Sequence, residues 1–275
     1  MRVWEDKAYM FVGTTQIYIF DLEKEIWSSM QTSLPRKKWP YSRMKFQSFS
    51  TAILDGKLYV FGGDDGDVAL GMNVLMALDL KKKVWDHISG TSDHKPQIYE
   101  PNLRMLCGFF AVPELKKLYV LYGTANRTAA SDRRQPGGGL HDYTYDDFWT
   151  FDLVTRKWQR ERLRGNFPSP RTEFSYAYIP SMKRVIVYGG YHGSLTTVDT
   201  GPGVIGTGPT QFPFSYFGDT FIYDPFTNVW KQGIVKGFPS YRAMSSILYD
   251  PGHEKILLFG GTSSLSTRPS GERAL

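Results

Sequence analysis

The chain is poor in the residues that build covalent or metal-based frameworks. Of its 275 residues, one is cysteine, Cys107, and five are histidine. A single cysteine excludes a disulfide within the chain and a cysteine-based zinc cluster. This usage is typical of a reducing compartment, so we expect an intracellular protein, cytoplasmic or nuclear.

Long apolar runs are also missing. No stretch approaches the ~20 consecutive apolar residues that a membrane helix needs. Met1 is not followed by a basic segment with an apolar stretch of the kind that directs export. The sequence therefore predicts no membrane partner.

Positive charge is in excess but is not concentrated. The formal net charge is +6, and the basic clusters fall in different kinds of connection. These clusters are Arg36-Lys37-Lys38, Lys81-Lys82-Lys83, Arg133-Arg134 and the alternating Arg160, Arg162 and Arg164. Because nucleic-acid binders gather basic residues in one stripe, we expect solvated loops and no nucleic-acid partner.

Aromatic residues and turn formers are abundant. Aromatics make up 15% of the chain, beside 27 glycines and 16 prolines, which favours short strands and turns over helices. Two phrases recur. An aspartate precedes a tryptophan by six positions at Asp21 and Trp27, Asp79 and Trp85, Asp152 and Trp158, and Asp224 and Trp230. An apolar run ends in two glycines at Gly62-Gly63, Gly189-Gly190 and Gly260-Gly261.

Repetition of one supersecondary unit predicts an array whose members bury their apolar faces against their neighbours. The best-formed copy predicts strands at 49–54, 57–61, 74–78 and from Val84, with Asp55-Gly56 as a hairpin turn. Four antiparallel strands in a meander form the blade of a β-propeller. In this all-β fold the glycines allow close backbone packing, the tryptophans cover the gaps between blades, and the aspartates form turns.

These motifs resemble kelch repeats over nearly the whole chain, from about Lys7 to Gly261. Four further stretches resemble a group of fungal kelch proteins: 39–41, 160–163 with 168–171, 214–221 and 237–243. Members of that group often continue into a C-terminal MYND-type zinc finger. The cysteine and histidine ligands of such a finger do not follow Gly261, so no zinc-finger function is carried over.

The expected fold is an incomplete kelch-type propeller at 1–262, followed by a polar tail at 263–275 that we expect to be disordered. Its units lie at about 1–30, 46–90, 104–163, 171–235 and 242–262, which makes four four-stranded blades and a half blade. The kelch resemblance implies six or seven blades. We therefore expect part of a larger propeller, or a shortened relative, with an open edge that self-associates.

The variable sequence is expected on one face, in long loops at 32–45, 90–103, 124–146 and 191–218. Candidate binding residues there are Tyr143, Tyr145, Tyr191, Tyr216, His141 and His192. Arg104, Arg171 and Arg242 each stand 18 residues before the first glycine position of their unit. Such arginines could bind acidic side chains or a C-terminal carboxylate. The alternative is that each braces its blade by bonding to loop carbonyls.

The sequence favours a non-catalytic scaffold that binds another protein through a peptide or an acidic segment, with no metal or cofactor. Replacing the three arginines together by alanine should then abolish binding without unfolding the protein. A galactose-oxidase-like enzyme or a carbohydrate-binding propeller on the same face is the alternative. Copper chemistry of that kind needs a cysteine crosslinked to tyrosine, two histidines and another tyrosine, but Cys107, His141 and His192 match no known spacing. Asp147 aligns with Asp219 and is interpreted as structural.

Overall fold

The computed structural model describes residues 1–34, 47–64, 72–91, 98–126, 142–192, 215–234 and 239–263. Within them, four antiparallel four-stranded sheets follow one another along the chain, and a two-stranded sheet follows the last. We call these sheets units 1 to 5. This is the β-propeller arrangement that the sequence predicts, with four complete blades and a half blade.

The strands of the units have the following bounds. Unit 1 contains β1 (Arg2–Trp4), β2 (Lys7–Phe11), β3 (Gln16–Asp21) and β4 (Ile26–Gln31). Unit 2 contains β5 (Ser50–Leu54), β6 (Lys57–Phe61), β7 (Leu75–Asp79) and β8 (Val84–Ser89). Unit 3 contains β9 (Gly108–Val112), β10 (Lys117–Leu121), β13 (Phe148–Asp152) and β14 (Lys157–Glu161). Unit 4 contains β15 (Ser175–Ile179), β16 (Arg184–Tyr188), β19 (Thr220–Asp224) and β20 (Val229–Gly233). Unit 5 contains β21 (Ala243–Asp250) and β22 (Lys255–Thr262).

Three short elements lie between these strands. A 3-10 turn at Pro113–Leu115 joins β9 to β10 and is the one helical segment of the described residues. Two ribbons begin and end long loops: β11 (Thr124–Asn126) pairs with β12 (Asp142–Thr144), and β17 (Tyr191–His192) pairs with β18 (Ser215–Tyr216). None of the described helical segments is long and apolar enough to cross a membrane.

The repeated aspartate closes the turn between strands three and four of each complete unit. Asp152 Oδ1 accepts bonds from the backbone N–H groups of Val154 and Thr155, at 2.9 and 2.8 Å. Asp21, Asp79 and Asp224 make the same pair of bonds in their turns. The aspartate is therefore a turn former, as predicted from its repetition.

The units pack face to face, and the apolar clusters lie between them. The cluster between units 3 and 4, for example, brings Phe148 of β13 against Tyr223 and Trp230 of unit 4. The first strands lie innermost, where β1, β5, β9, β15 and β21 contact one another in succession. Backbone bonds run between successive units at the same place, from Leu106 N to Ser48 O, Glu173 N to Leu106 O and Met244 N to Glu173 O.

The four repeated tryptophans do not have equal surroundings. Trp85 and Trp230 are buried, and the ring centroid of Trp85 lies 5.3 Å from that of Phe11 in the preceding unit. Trp158 is partly buried, and its ring centroid lies 5.5 Å from that of Phe61. Trp27 is 53% exposed, because no described unit precedes unit 1. The tryptophan thus covers an inter-unit gap only where a preceding unit is present.

Candidate binding surface

The long connections of units 2 to 4 lie on one face of the array. On the opposite face, strands one and two, and strands three and four, are joined by turns of two to four residues. Strands two and three of unit 3 are separated by 122–147, and those of unit 4 by 189–219. We call the side that carries these connections the loop face and the opposite side the turn face.

Arg104 and Arg171 lie under the loop face, in buried ion pairs. Arg104 is 0% exposed, and its guanidinium binds both carboxylate oxygens of Asp147, with Nη2 2.9 Å from Oδ2. Arg171 is equally buried and binds both carboxylate oxygens of Asp219, with Nη2 3.1 Å from Oδ2. Both arginines also donate to backbone carbonyls of their own unit, at Tyr122 and Gly189.

Each of these pairs connects two units. The backbone carbonyl of Arg104 accepts a bond from Gly63 N of unit 2 at 3.0 Å, while its side chain holds Asp147 at the start of strand three of unit 3. Burial alone would raise the pKa of the Asp147 carboxyl. The charge and hydrogen bonds of Arg104, with a bond from Trp149, outweigh that effect and hold the pKa below its ordinary value.

An aromatic ring lies against each buried guanidinium. Arg104 lies 4.0 Å from the ring centroid of Tyr145, and Arg171 lies 3.8 Å from that of Phe217. Tyr145 is itself buried, and its hydroxyl donates to the carbonyl of Leu103 at 2.9 Å. Arg104, Arg171 and Tyr145, predicted as binding residues, are therefore inaccessible here, and the bonds to carbonyls are those of the bracing alternative.

Arg242 makes the same hydrogen bonds to serine and glycine as Arg171 but has no carboxylate partner among the described residues. Its Nε and Nη2 donate to the carbonyl and the hydroxyl of Ser240, and its Nη1 donates to Gly260 O at 2.7 Å. Arg171 makes the matching bonds to Ser169 and Gly189. No described residue supplies Arg242 with the partner that Asp219 provides for Arg171, because unit 5 has no described third strand.

Two of the predicted tyrosines form a pair on the loop face. Tyr191 and Tyr216 are directly opposite in the β17–β18 ribbon, with ring centroids 5.9 Å apart. Both are half-buried, as is the neighbouring His192. His141 lies outside the described residues, and Tyr143 is described only as a backbone position of β12. The structure therefore brings together Tyr191, Tyr216 and His192 from the predicted set.

Two strongly exposed apolar side chains of this face were not predicted from the sequence. Tyr99 is 87% exposed and Ile98 is 79% exposed, in the connection from β8 to β9. The backbone that follows Tyr99 is held to unit 2, because the Asn73 amide donates to the Glu100 carboxylate and to the Pro101 carbonyl. The length of this loop and its tyrosine were visible in the sequence, but no repeat singled Tyr99 out.

The chemistry for a metal or radical site is not assembled in the described residues. They contain no group of three histidine, cysteine or acidic residues able to hold a metal ion. Cys107 is buried, and burial raises the pKa of its thiol to about 11, so it is not a reactive thiolate.

A cleft of about 450 Å³ lies between units 2 and 3 on the turn face. Asp55, Lys116, Asp86 and Arg156 line it and form two exposed ion pairs, Lys116 with Asp55 and Arg156 with Asp86. These four charges are already paired across the unit boundary. Solvent-exposed pairs of this kind make this cleft a poorer candidate than the apolar residues of the loop face.

The chain is similar to known repeat domains. The family profile described as the KLHDC2/KLHL20/DRC7 Kelch-repeats domain matches residues 1–197. Acyl-CoA-binding domain-containing proteins 4 and 5 of Arabidopsis thaliana are 26% and 25% identical to the chain over 182 residues, which is 61% of this chain and 22% of each relative. An F-box/kelch-repeat protein of the same plant is 38% identical over 48 residues, 18% of this chain and 12% of that protein. The chain thus spans less than a quarter of the length of these curated relatives.

Proposed function

The chain belongs to the KLHDC2/KLHL20/DRC7 Kelch-repeats domain family, and we propose that it is a non-catalytic scaffold that binds another protein through its loop face. Kelch-repeat propellers are commonly protein-interaction domains. The observation that carries the proposal is that Ile98 and Tyr99 are exposed, and Tyr191 and Tyr216 half-buried, on loops of the same face. Tyrosine rings supply large contact area at low entropic cost and are enriched at interfaces.

The buried arginines support this surface rather than forming it. The pairs of Arg104 with Asp147 and Arg171 with Asp219 fix the residue that enters the third strand of each unit. They thereby fix the ends of the loops that carry the tyrosines. An acidic partner is thus not recognised through Arg104 or Arg171, whose charges are already neutralised.

The proposal is tested with a photo-crosslinking amino acid in place of Tyr99 or Tyr216. Val154, which is as exposed as Ile98 but lies on the turn face, provides the matched control position. We expect one discrete crosslinked protein from the loop-face positions and none from position 154. Recovery of that protein should fall at least tenfold in Tyr99→Ala and Tyr216→Ala and stay unchanged in Val154→Ala. Equal crosslinking from both faces would reject the proposal.

A carbohydrate-binding propeller is the second candidate, because the Tyr191–Tyr216 ring pair could serve as an aromatic platform. Binding to a glycan array that is lost in Tyr191→Ala and Tyr216→Ala, with no protein crosslinked from position 99, would favour it. The intracellular location stays a proposal, supported by the single cysteine.

A further inference from the structure

The second strand of unit 5 has one open hydrogen-bonding edge among the described residues. In units 1 to 4 the second strand pairs with the first and with the third, as β16 does with β15 and β19. In unit 5, β22 pairs with β21 alone. A strand edge with free N–H and C=O groups is a template for another strand.

Arg242, which has no acidic partner among the described residues, lies at one end of this edge. The Arg242 guanidinium is held in the orientation of Arg171 by the same three kinds of bonds, and it is half-buried. In unit 4 this orientation presents the guanidinium to Asp219, the residue before the third strand. Arg242 is therefore preorganised to bind a carboxylate at the same place in unit 5.

The arginine and the aspartate occur together along the chain. Units 3 and 4 have both, Arg104 with Asp147 and Arg171 with Asp219. Unit 2 has neither: Phe46 precedes Gln47, the counterpart of Met105, and the residue before the third strand is Val74. An arginine at this position thus accompanies an acidic residue wherever the third strand is described.

A second cation stands at the other end of the edge. Lys57 and Lys117 begin the second strands of units 2 and 3 and lie directly opposite Asp79 and Asp152, the last residues of the third strands. In unit 4, Arg184 lies 2.9 Å from Asp224 in the same way. Lys255 begins β22 and is exposed.

A strand that pairs with this edge in the manner of units 3 and 4 carries its acidic residues at a defined spacing. In units 3 and 4 the two aspartates that meet these cations are five residues apart, Asp147 with Asp152 and Asp219 with Asp224. Five residues of an extended strand span roughly 17 Å. The residues between them are mainly apolar, and the exposed Leu257 and Phe259 of β22 offer an apolar surface for them.

We propose that β22 is a binding site for an extended segment of a partner polypeptide that carries two carboxylates five residues apart with apolar residues between. The segment adds antiparallel to β22, its first carboxylate binds Arg242, and its second binds Lys255. Residues 264–275 do not fit this pattern, because they contain one acidic side chain, Glu272. The third strands of a second copy do not fit either, because each is held between neighbouring strands of its own unit. This edge is distinct from the loop-face tyrosines.

The test uses a fluorescent peptide with the sequence of residues 217–226, which contains the third strand of unit 4, and the full chain. Binding is followed by anisotropy. A matched peptide carries asparagine in place of both aspartates. We expect saturable binding of the first peptide, at least tenfold weaker binding of the second, and weakening of the first by added salt.

Protein variants place the peptide on the edge. Arg242→Ala should weaken the acidic peptide at least tenfold and leave the asparagine peptide unchanged. Arg156→Ala, which removes an exposed arginine from the turn face, is the control and should change neither. Circular dichroism checks that both variants are folded. Equal affinity for the two peptides, or unchanged binding by Arg242→Ala, would overturn the proposal, as would binding seen only after removal of residues 264–275.

Discussion

At the scale of the residue, one arginine holds two units in place. The Arg104 backbone bonds to Gly63 of unit 2, and its side chain neutralises Asp147 of unit 3 inside the protein. Two buried charges are costly unless each has its partner, and removal of one leaves the other uncompensated. The pair is therefore a point at which a single change propagates across a unit boundary.

We predict that Asp147→Asn lowers the free energy of unfolding at neutral pH by about 3–5 kcal/mol, because it leaves the Arg104 charge buried without a counter-ion. The lowered pKa of Asp147 sets the pH dependence. Its contribution is complete above the ordinary carboxyl pKa of about 3.9 and is lost as the pH falls through the lowered value. Urea unfolding at neutral and acid pH measures this: the gap between wild type and variant should shrink in acid.

Arg242→Ala is the control for this prediction, since that guanidinium is half-buried and has no carboxylate among the described residues. It should cost about 1 kcal/mol or less. A cost for Asp147→Asn no greater than that of the control would contradict the buried-pair argument. By the same argument, replacing Arg104, Arg171 and Arg242 together should destabilise the fold, contrary to the expectation from sequence.

The sequence contained both halves of this pair without joining them. The repeated arginine was visible from its distance to the glycines, and Asp147 was visible from its alignment with Asp219. Arg104 and Asp147 are 43 residues apart, and Arg171 and Asp219 are 48 apart, across loops of unlike length. Because the contact depends on closure of the sheet and not on local spacing, the arginines were assigned to the surface.

At the scale of the element, the strands were predictable and the loop structure was not. The predicted strands of unit 2 agree with β5 to β8 to within one residue, because alternating apolar residues and turn formers determine them locally. The ribbons β11–β12 and β17–β18 were not predicted. Their strands are two or three residues long and are separated by long insertions, so neither periodicity nor turn residues identify them.

The paired glycines permit the close approach of the next unit. Gly62 has a φ of +68°, and a Cβ built there would lie 2.4 Å from the carbonyl oxygen of Arg104. Gly260 has the same φ, but nothing lies within 4 Å of its Cβ position. The two glycines therefore share the left-handed backbone, but only Gly62 has the backbone of a following unit packed against it.

We predict that Gly260→Ala costs about 1–2 kcal/mol from left-handed strain alone. Gly62→Ala should cost at least about 1 kcal/mol more, because the clash separates the backbones that the Gly63–Arg104 bond joins. Chemical denaturation of the two variants under identical conditions measures the difference. Equal costs would show that the close approach of Arg104 does not constrain this position.

At the scale of the whole molecule, the two ends of the array expose the surfaces that neighbours cover elsewhere. Trp27 of unit 1 is 53% exposed, and Phe259 of unit 5 is 78% exposed. In units 2 and 3, the tryptophan packs on the phenylalanine that ends strand two of the preceding unit, Trp85 on Phe11 and Trp158 on Phe61. Trp27 and Phe259 are the two halves of that contact, and both are recognisable in the sequence because it repeats these residues in register.

We predict that the chain self-associates head to tail, the Trp27 face of one copy packing on the Phe259 face of another. Because the two surfaces differ, the contact is heterologous and can add further copies as a ring or an open chain. Sedimentation velocity over a concentration series should show the mean mass rising with concentration. Trp27→Ser and Phe259→Ser should each suppress this rise, because either removes one half of the contact, whereas Val154→Ser on an exposed turn should not. A concentration-independent monomer, or equal association of all three variants, would show that the end faces do not bind each other.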